Sequence, residues 1–178
     1  SAPDYRQLMA SFDAPNTFSD NYGGRMTGFV TPPEDGEYRF FITSDDASVL
    51  YVSTDDSAAN LPTTPTAQEL GCCQGFVEPG ETVTVTSAPI ALLKDKRYYV
   101  VYLFKEGGGG DNMGVAVRLP SHTVDPYNNS ARGIGALNLG TLVSPAGASV
   151  AIATEPADQS LAANAFAQEQ GAELQVQL

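Results

Sequence analysis

Short runs of alternating apolar and polar side chains, separated by clusters of Gly, Pro, Asp and Ser, fill the chain up to residue 119. In one run, Tyr38, Phe40 and Ile42 alternate with Arg39, Phe41 and Thr43. A period of two gives a strand with one more apolar face. This pattern predicts strands over residues 26–31, 37–43, 49–53, 82–86, 98–105 and 113–119. Pro32-Pro33-Glu34-Asp35-Gly36 reads as a hairpin connection between the first two. Residues 98–105 are apolar at nearly every position, which predicts a central strand covered on both faces. Closely spaced antiparallel strands without an amphipathic helix predict an all-β fold, an antiparallel β-sandwich of jelly-roll type or a barrel.

The rest of the chain reads differently. Residues 1–24 form an irregular opening segment whose Leu8, Met9 and Phe12 are expected to pack on the core. Residues 54–79 form a long polar loop, and loops of that length in compact domains usually serve function or lack order. The pattern changes at Pro120, and Ala and Gln become common from Leu142 onward. Residues 154–161 resemble the opening of bacterial immunoglobulin-like repeats, with the next strand expected over 172–178. A helix over 161–170 is the alternative there. The expected division is therefore a main domain at 1–120, a linker at 121–140, and an extension at 141–178 that starts an immunoglobulin-like element. The whole reads as a piece of a longer multidomain protein.

Composition narrows the function classes. Hydrophobic residues make up 42 %, enough for a packed core. Nine basic against twenty-one acidic residues give a net charge of -12. Nucleic-acid binding through phosphates needs clustered Lys and Arg, so that class is excluded. The balance suits a hard cation such as Ca2+, although acidity also serves solubility. No stretch approaches the ~20 apolar residues that span a bilayer, so membrane insertion is not expected. Ser1-Ala2-Pro3-Asp4 is not a signal peptide. The two cysteines, Cys72 and Cys73, are neighbours, so they neither make a zinc site alone nor staple distant segments.

Candidate chemistry lies at two loops. His122 is the sole histidine, and there is no G-x-S-x-G elbow and no H-E-x-x-H motif. The glycine run at 107–110 is not a phosphate loop, because no Lys-Ser or Lys-Thr follows it. An enzyme is therefore not expected. Asp45 and Asp46 close one strand and precede the next. Neighbours on a regular strand point to opposite faces. The two carboxylates converge only if the backbone turns sharply, as at a non-proline cis peptide; otherwise they are two solvated acids in a polar turn. Glu106, Gly107, Gly108, Gly109, Gly110, Asp111 and Asn112 follow the central strand. Glycine lets carbonyls approach an ion closely, and Asp111 adds a charged oxygen. The alternative is a flexible hairpin loop.

These segments together resemble the protective-antigen-type (PA-fourteen) domain. The matching stretches are Asn21-Tyr-Gly-Gly-Arg-Met-Thr-Gly-Phe-Val, Pro33 through Ser53 with its Gly-Glu-Tyr-x-Phe-x-Ile-x-Ser-Asp-Asp-x-Ser-x-Leu run, Lys96 through Asp111, and Val115-Ala116-Val117. The resemblance implies a β-sandwich whose lectin members hold Ca2+ between two loops, one of them with a cis-linked Asp-Asp pair. On this chain the implied metal ligands are Asp45, Asp46, Gly107, Gly109 and Asp111. The implied sugar-binding set is Asp45, Asp46, Cys72, Cys73, Glu106, Gly108, Gly110, Asp111 and Asn112. Two neighbouring sugar hydroxyls would complete the ion's shell. Members often carry Trp where Arg118 and Leu119 stand here. The extracellular, cell-surface setting that the family implies favours a Cys72–Cys73 disulfide over two free thiols, and the pair would offer an apolar plate near a sugar. The expected function is Ca2+-dependent binding of glycans or polysaccharide by a module of a secreted protein. The rival expectation is a structural spacer or filament domain whose residues 141–178 pair with a neighbouring domain or chain.

Overall fold

A computed structural model describes residues 3–14, 16–73, 75–76, 85–123, 125–126, 138–140 and 172–177. The strands are β1 (Tyr5–Met9), β2 (Asp13–Ala14), β3 (Tyr22–Thr31), β4 (Gly36–Asp45), β5 (Ser48–Val52), β6 (Ala67–Glu69), β7 (Ile90–Leu92), β8 (Tyr98–Glu106), β9 (Asn112–Arg118), β10 (Asn138–Gly140) and β11 (Ala172–Gln177). One 3-10 turn covers Ala58–Asn60, and among the described residues there is no α-helix. All pairing is antiparallel. The first sheet runs β1-β11-β3-β8-β5-β6, with β10 also on β3; the second runs β2-β9-β4-β7. The expected antiparallel sandwich is the observed architecture.

The core forms where the inward faces meet. Alternation puts Tyr38, Phe40 and Ile42 of β4 and Val100, Tyr102 and Phe104 of β8 into one buried cluster with Phe12, Met26, Leu50 and Met113. Phe41 points the other way, where it packs edge-on against Phe76 at 6.4 Å between ring centroids. Tyr102 ties the two sheets together, its hydroxyl donating to the Thr43 carbonyl at 3.0 Å. Burial holds that phenol well above its ordinary pKa.

Several sequence expectations change. β3 begins at Tyr22, earlier than residue 26, because Gly23 and Gly24 pair with Lys105 and Phe104 on β8. At Gly24 a Cβ would collide with the Phe104 ring, so glycine is what lets Phe104 lie across β3. The loop over 54–79 is partly structured, since Ala67–Glu69 pairs with β5 as β6. Leu8 does not join the core: it is exposed, while Met9 packs against the core and Phe12 is fully buried. β8 is central, but its outer face opens toward its end, where Leu103 and Lys105 are exposed. Of the strand expected over 82–86, residues 82–84 lie outside the described residues, and Thr86 makes an isolated bridge to Phe41. The strand expected from 172 is present as β11 and lies between β1 and β3. Residues 141–171 lie outside the described residues.

Candidate functional site

The ends of β4 and β8 build the site. β4 closes at Asp45, whose peptide bond to Asp46 is cis. The pair does not splay to opposite faces as on a regular strand, since both carboxylates reach Glu106. Asp45, Asp46 and Glu106 each offer a carboxylate oxygen within 4.8 Å of the others. Glu106 reaches them through parity: Tyr102 and Phe104 face the core on β8, so the residue two further on faces inward as well. Glu106 is only 3 % exposed, and neither of its oxygens has a hydrogen-bond partner. Burial first, then the charges of Asp46, Asp45 and Asp111, push its carboxyl above the ordinary range.

The glycine loop is fixed around this cluster. Gly107 N–H donates to Asp46 Oδ2 at 2.9 Å, and a Cβ on Gly107 would stand 3.0 Å from that same oxygen. Gly109 has φ +118, a conformation that glycine adopts freely. Gly108 has only Asp20 near its Cβ direction, and Gly110 has open space there. Lys105 Nζ lies 3.8 Å from Asp46 Oδ2 on the solvent side. Asn112 pairs with Asp45 across β9 and β4, and its side chain accepts from Thr43 Oγ1 at 3.3 Å.

Asp111 is buried but engaged elsewhere. Its Oδ2 accepts from Phe18 N–H at 2.8 Å, Ser19 N–H at 3.5 Å and the Tyr22 hydroxyl at 2.9 Å. Its Oδ1 is buried and has no hydrogen-bond partner. These contacts reveal a third wall that the sequence reading missed. Asn21 N–H donates to the Gly107 carbonyl at 3.0 Å, and Gly109 N–H donates to Asp20 Oδ1 at 3.2 Å. The run Asp20-Asn21-Tyr22-Gly23-Gly24 is rich in turn-forming residues, yet nothing local says which loop it braces.

The cysteines form a vicinal disulfide beside the carboxylates. Cys73 N–H donates to the Ser44 carbonyl at 2.8 Å, which holds the bridge against the end of β4. Cys72 Sγ stands 3.1 Å from Asp45 Oδ1, and as a disulfide sulfur it has no proton to donate. His122 follows the far end of β9, roughly 20 Å along the strand from Asn112 at about 3.3 Å per residue.

The arrangement sets the buried Glu106 carboxylate beside the half-buried carboxylates of Asp45 and Asp46, with Lys105 bordering Asp46. Three converging carboxylates, with both Glu106 oxygens and Asp111 Oδ1 buried and without a hydrogen-bond partner, make a donor set of the kind a hard cation takes. Burying such charge without a partner is costly, so a bound cation fits the site electrostatically.

Comparison with known proteins gives the relationships. The family model for the PA14 domain matches residues 11–123. N-acetyl-beta-glucosaminyl-glycoprotein 4-beta-N-acetylgalactosaminyltransferase 1 of Mus musculus is 33 % identical over 102 residues, covering 55 % of this chain and 10 % of the relative. The chain thus spans a tenth of the length of that curated relative. Among similar solved structures is the A domain of epithelial adhesin 9 from Candida glabrata in complex with Galb1-4GlcNAc, at TM-score 0.43 and 16 % identity over 57 % of this chain and 46 % of that one. The adhesin 6 A domain from the same organism, in complex with Galb1-3GlcNAc, gives TM-score 0.45 and 13 % identity over 67 % and 59 %. A PA14 sugar-binding domain from an RTX adhesin gives TM-score 0.41 and 17 % identity over 65 % and 55 %. The family match runs from the end of β1 past β9 and takes in both loops of the carboxylate site, and by it this chain belongs to the PA14 domain family.

Proposed function

We propose that this chain is a calcium-dependent carbohydrate-binding module of an extracellular protein. The observation that carries this reading is the convergence of Asp45, Asp46 and Glu106, with both Glu106 oxygens buried and unpartnered. Those three side chains would hold Ca2+, with Asp111 Oδ1 and carbonyls of Gly107 and Gly109 as further oxygen donors. A bound Ca2+ supplies open coordination positions that two neighbouring sugar hydroxyls fill. The glycine loop is bare enough to admit a sugar ring, since Gly109 and Gly110 have nothing within 4 Å of a Cβ position. Gly108, Asn112 and the exposed Cys72–Cys73 bridge form the rim, and the bridge is an apolar surface against one side of the ring.

This module is read as one that binds sugar and not as an enzyme. Its relationship to a tenth of a glycosyltransferase accords with a module that serves a longer protein. Among the described residues no helix is long and apolar enough to cross a membrane.

Calorimetric titration of Ca2+ into wild type and Asp46→Ala tests the ion site. Wild type is expected to bind one Ca2+ and the variant to lose at least ~100-fold in affinity, in line with removing one charged ligand. Equal binding by the two overturns the assignment. A glycan array probed with Ca2+ and again with EDTA tests the sugar: retention that survives EDTA removes calcium from the reading.

A further inference from the structure

β6 ends at Glu69, and residues 70–73 carry the chain to the end of β4, where the Cys72–Cys73 bridge lies against Asp45. Two hydrogen bonds shape this stretch. Glu69 Oε1 accepts from Gly71 N–H at 2.9 Å, and Cys73 N–H donates to the Ser44 carbonyl at 2.8 Å. Ser44 is fully buried and precedes Asp45, so the second bond fastens the bridge to the strand end that presents a carboxylate of the cation site. Cys73 makes that bond from φ +74, a region that residues other than glycine rarely occupy. The ring closed by the S–S bond contains the N–Cα bond of Cys73, so an intact bridge restricts rotation about φ. Opening the ring frees that rotation, and the residue relaxes toward negative φ, away from its bond to Ser44.

The sulfur chemistry at Cys72 acts in the same direction. Its Sγ stands 3.1 Å from Asp45 Oδ1. As a disulfide sulfur it carries no proton, and the lone pairs of Oδ1 are left for a cation. As a thiol it carries one, and at this distance the S–H donates to Oδ1. That hydrogen bond engages an oxygen the ion would take. Both cysteines are exposed, so a reductant reaches them, and the chain holds no other cysteine.

We infer that the Cys72–Cys73 bridge is a redox switch on the cation site: closed, it holds Asp45 ready for the ion, and opened, it weakens the ion's binding and sugar retention with it. The inference rests on the Ca2+ reading above and names a regulation of that site. The reductant is a dithiol, either a small molecule or a protein. Its two thiols supply two electrons and two protons; the Cys72–Cys73 S–S bond breaks, each sulfur takes one proton, and the dithiol closes to its own disulfide. Ion binding and reduction are then linked. The factor by which reduction weakens Ca2+ is the factor by which Ca2+ protects the bridge from reduction.

The test is a calorimetric Ca2+ titration of the oxidised chain and of the chain opened with dithiothreitol, with the bridge followed by mass after thiol alkylation and the fold by melting temperature. The reduced chain is expected to bind Ca2+ about tenfold more weakly. A redox titration with dithiothreitol is expected to give the bridge a potential about 30 mV more negative in saturating Ca2+ than in EDTA, which is tenfold for two electrons. Cys72→Ala/Cys73→Ala has no bridge to open and is expected to bind Ca2+ equally with and without dithiothreitol. A difference below about threefold between the two wild-type forms, or a potential that Ca2+ does not move, overturns the switch and leaves the ion site standing. A response by the double variant overturns it as well, since the reductant then acts elsewhere. So does a reduced chain that has unfolded, since the bridge then serves the fold alone. An oxidised chain that binds no Ca2+ removes the ion site and the switch together.

Discussion

At the residue scale, Asp111 shows how a buried side chain can brace a site through one oxygen. One of its oxygens takes two backbone donors and a phenol, and thereby clamps residues 18–22 to the glycine loop. Asp111→Ala is expected to lower stability by about 2–3 kcal/mol in urea unfolding, since buried hydrogen bonds to a charged acceptor are lost and their donors are left unsatisfied. Tyr22→Phe removes one of those bonds and is expected to cost about 1–2 kcal/mol in the same measurement. The Asp45–Asp46 pair was legible through the resemblance to the PA14 family, since adjacency alone is equally an ordinary polar turn. Glu106 was legible only as a member of its loop, although parity from Tyr102 and Phe104 could have marked it as inward-facing. Asp20 and Phe18 were not legible as part of the site. Their role depends on a contact between segments some ninety positions apart, which no local pattern encodes.

At the element scale, close approach decides more than propensity. β3 and β8 pair over nine residues, and Phe104 occupies the space above Gly24. Gly24→Ala is expected to destabilise by about 1–3 kcal/mol, as overpacking does when a ring must shift, and thermal melting checks it. Another link joins the hairpin turn before β4 to the end of β9: Glu34 Oε1 accepts from both the N–H and the hydroxyl of Ser121. Those bonds, the hydroxyl's foremost, hold the Glu34 carboxyl below its ordinary value of 4.5. A carboxyl lowered on folding stabilises above its unfolded pKa, and the contribution fades as pH falls through the lowered value. Ser121→Ala is therefore expected to lower the melting temperature slightly at pH 7 and to match wild type well below pH 4, since protonated Glu34 has lost the advantage in both. The long strands β4, β8 and β9 were legible from period two and continuous apolarity. β6 and β7, at three residues each, were not, because so short a run carries too little pattern to stand out from a loop.

At the scale of the whole molecule, the sandwich closes through its last described strand. β11 lies between β1 and β3 and pairs with both. That placement was not legible, because pairing residue 5 with residue 176 is as non-local as the chain allows; the resemblance to immunoglobulin-like repeats pointed to a strand there but as part of a separate element, whereas it pairs with β1 and β3. Removing residues 172–178 is expected to leave β1 and β3 with unpaired edges, lower the melting temperature by several degrees, and expose the amides of 5–9 and 23–27 to hydrogen exchange. Unchanged exchange at those amides would rule out the pairing. The same ladder sets how the protein bears a load. Tyr5 faces Val176 and Met9 faces Ala172, so the chain entering β1 and the chain leaving β11 emerge side by side. Tension drawn through both peels the ladder one pair at a time, as a zip opens, and does not shear all its pairs at once. The peeling starts at the carboxylate end of the sheet, since Gln177 pairs with Gly23 and Gly23 with Lys105, and Tyr5 packs on Phe18, whose N–H donates to Asp111.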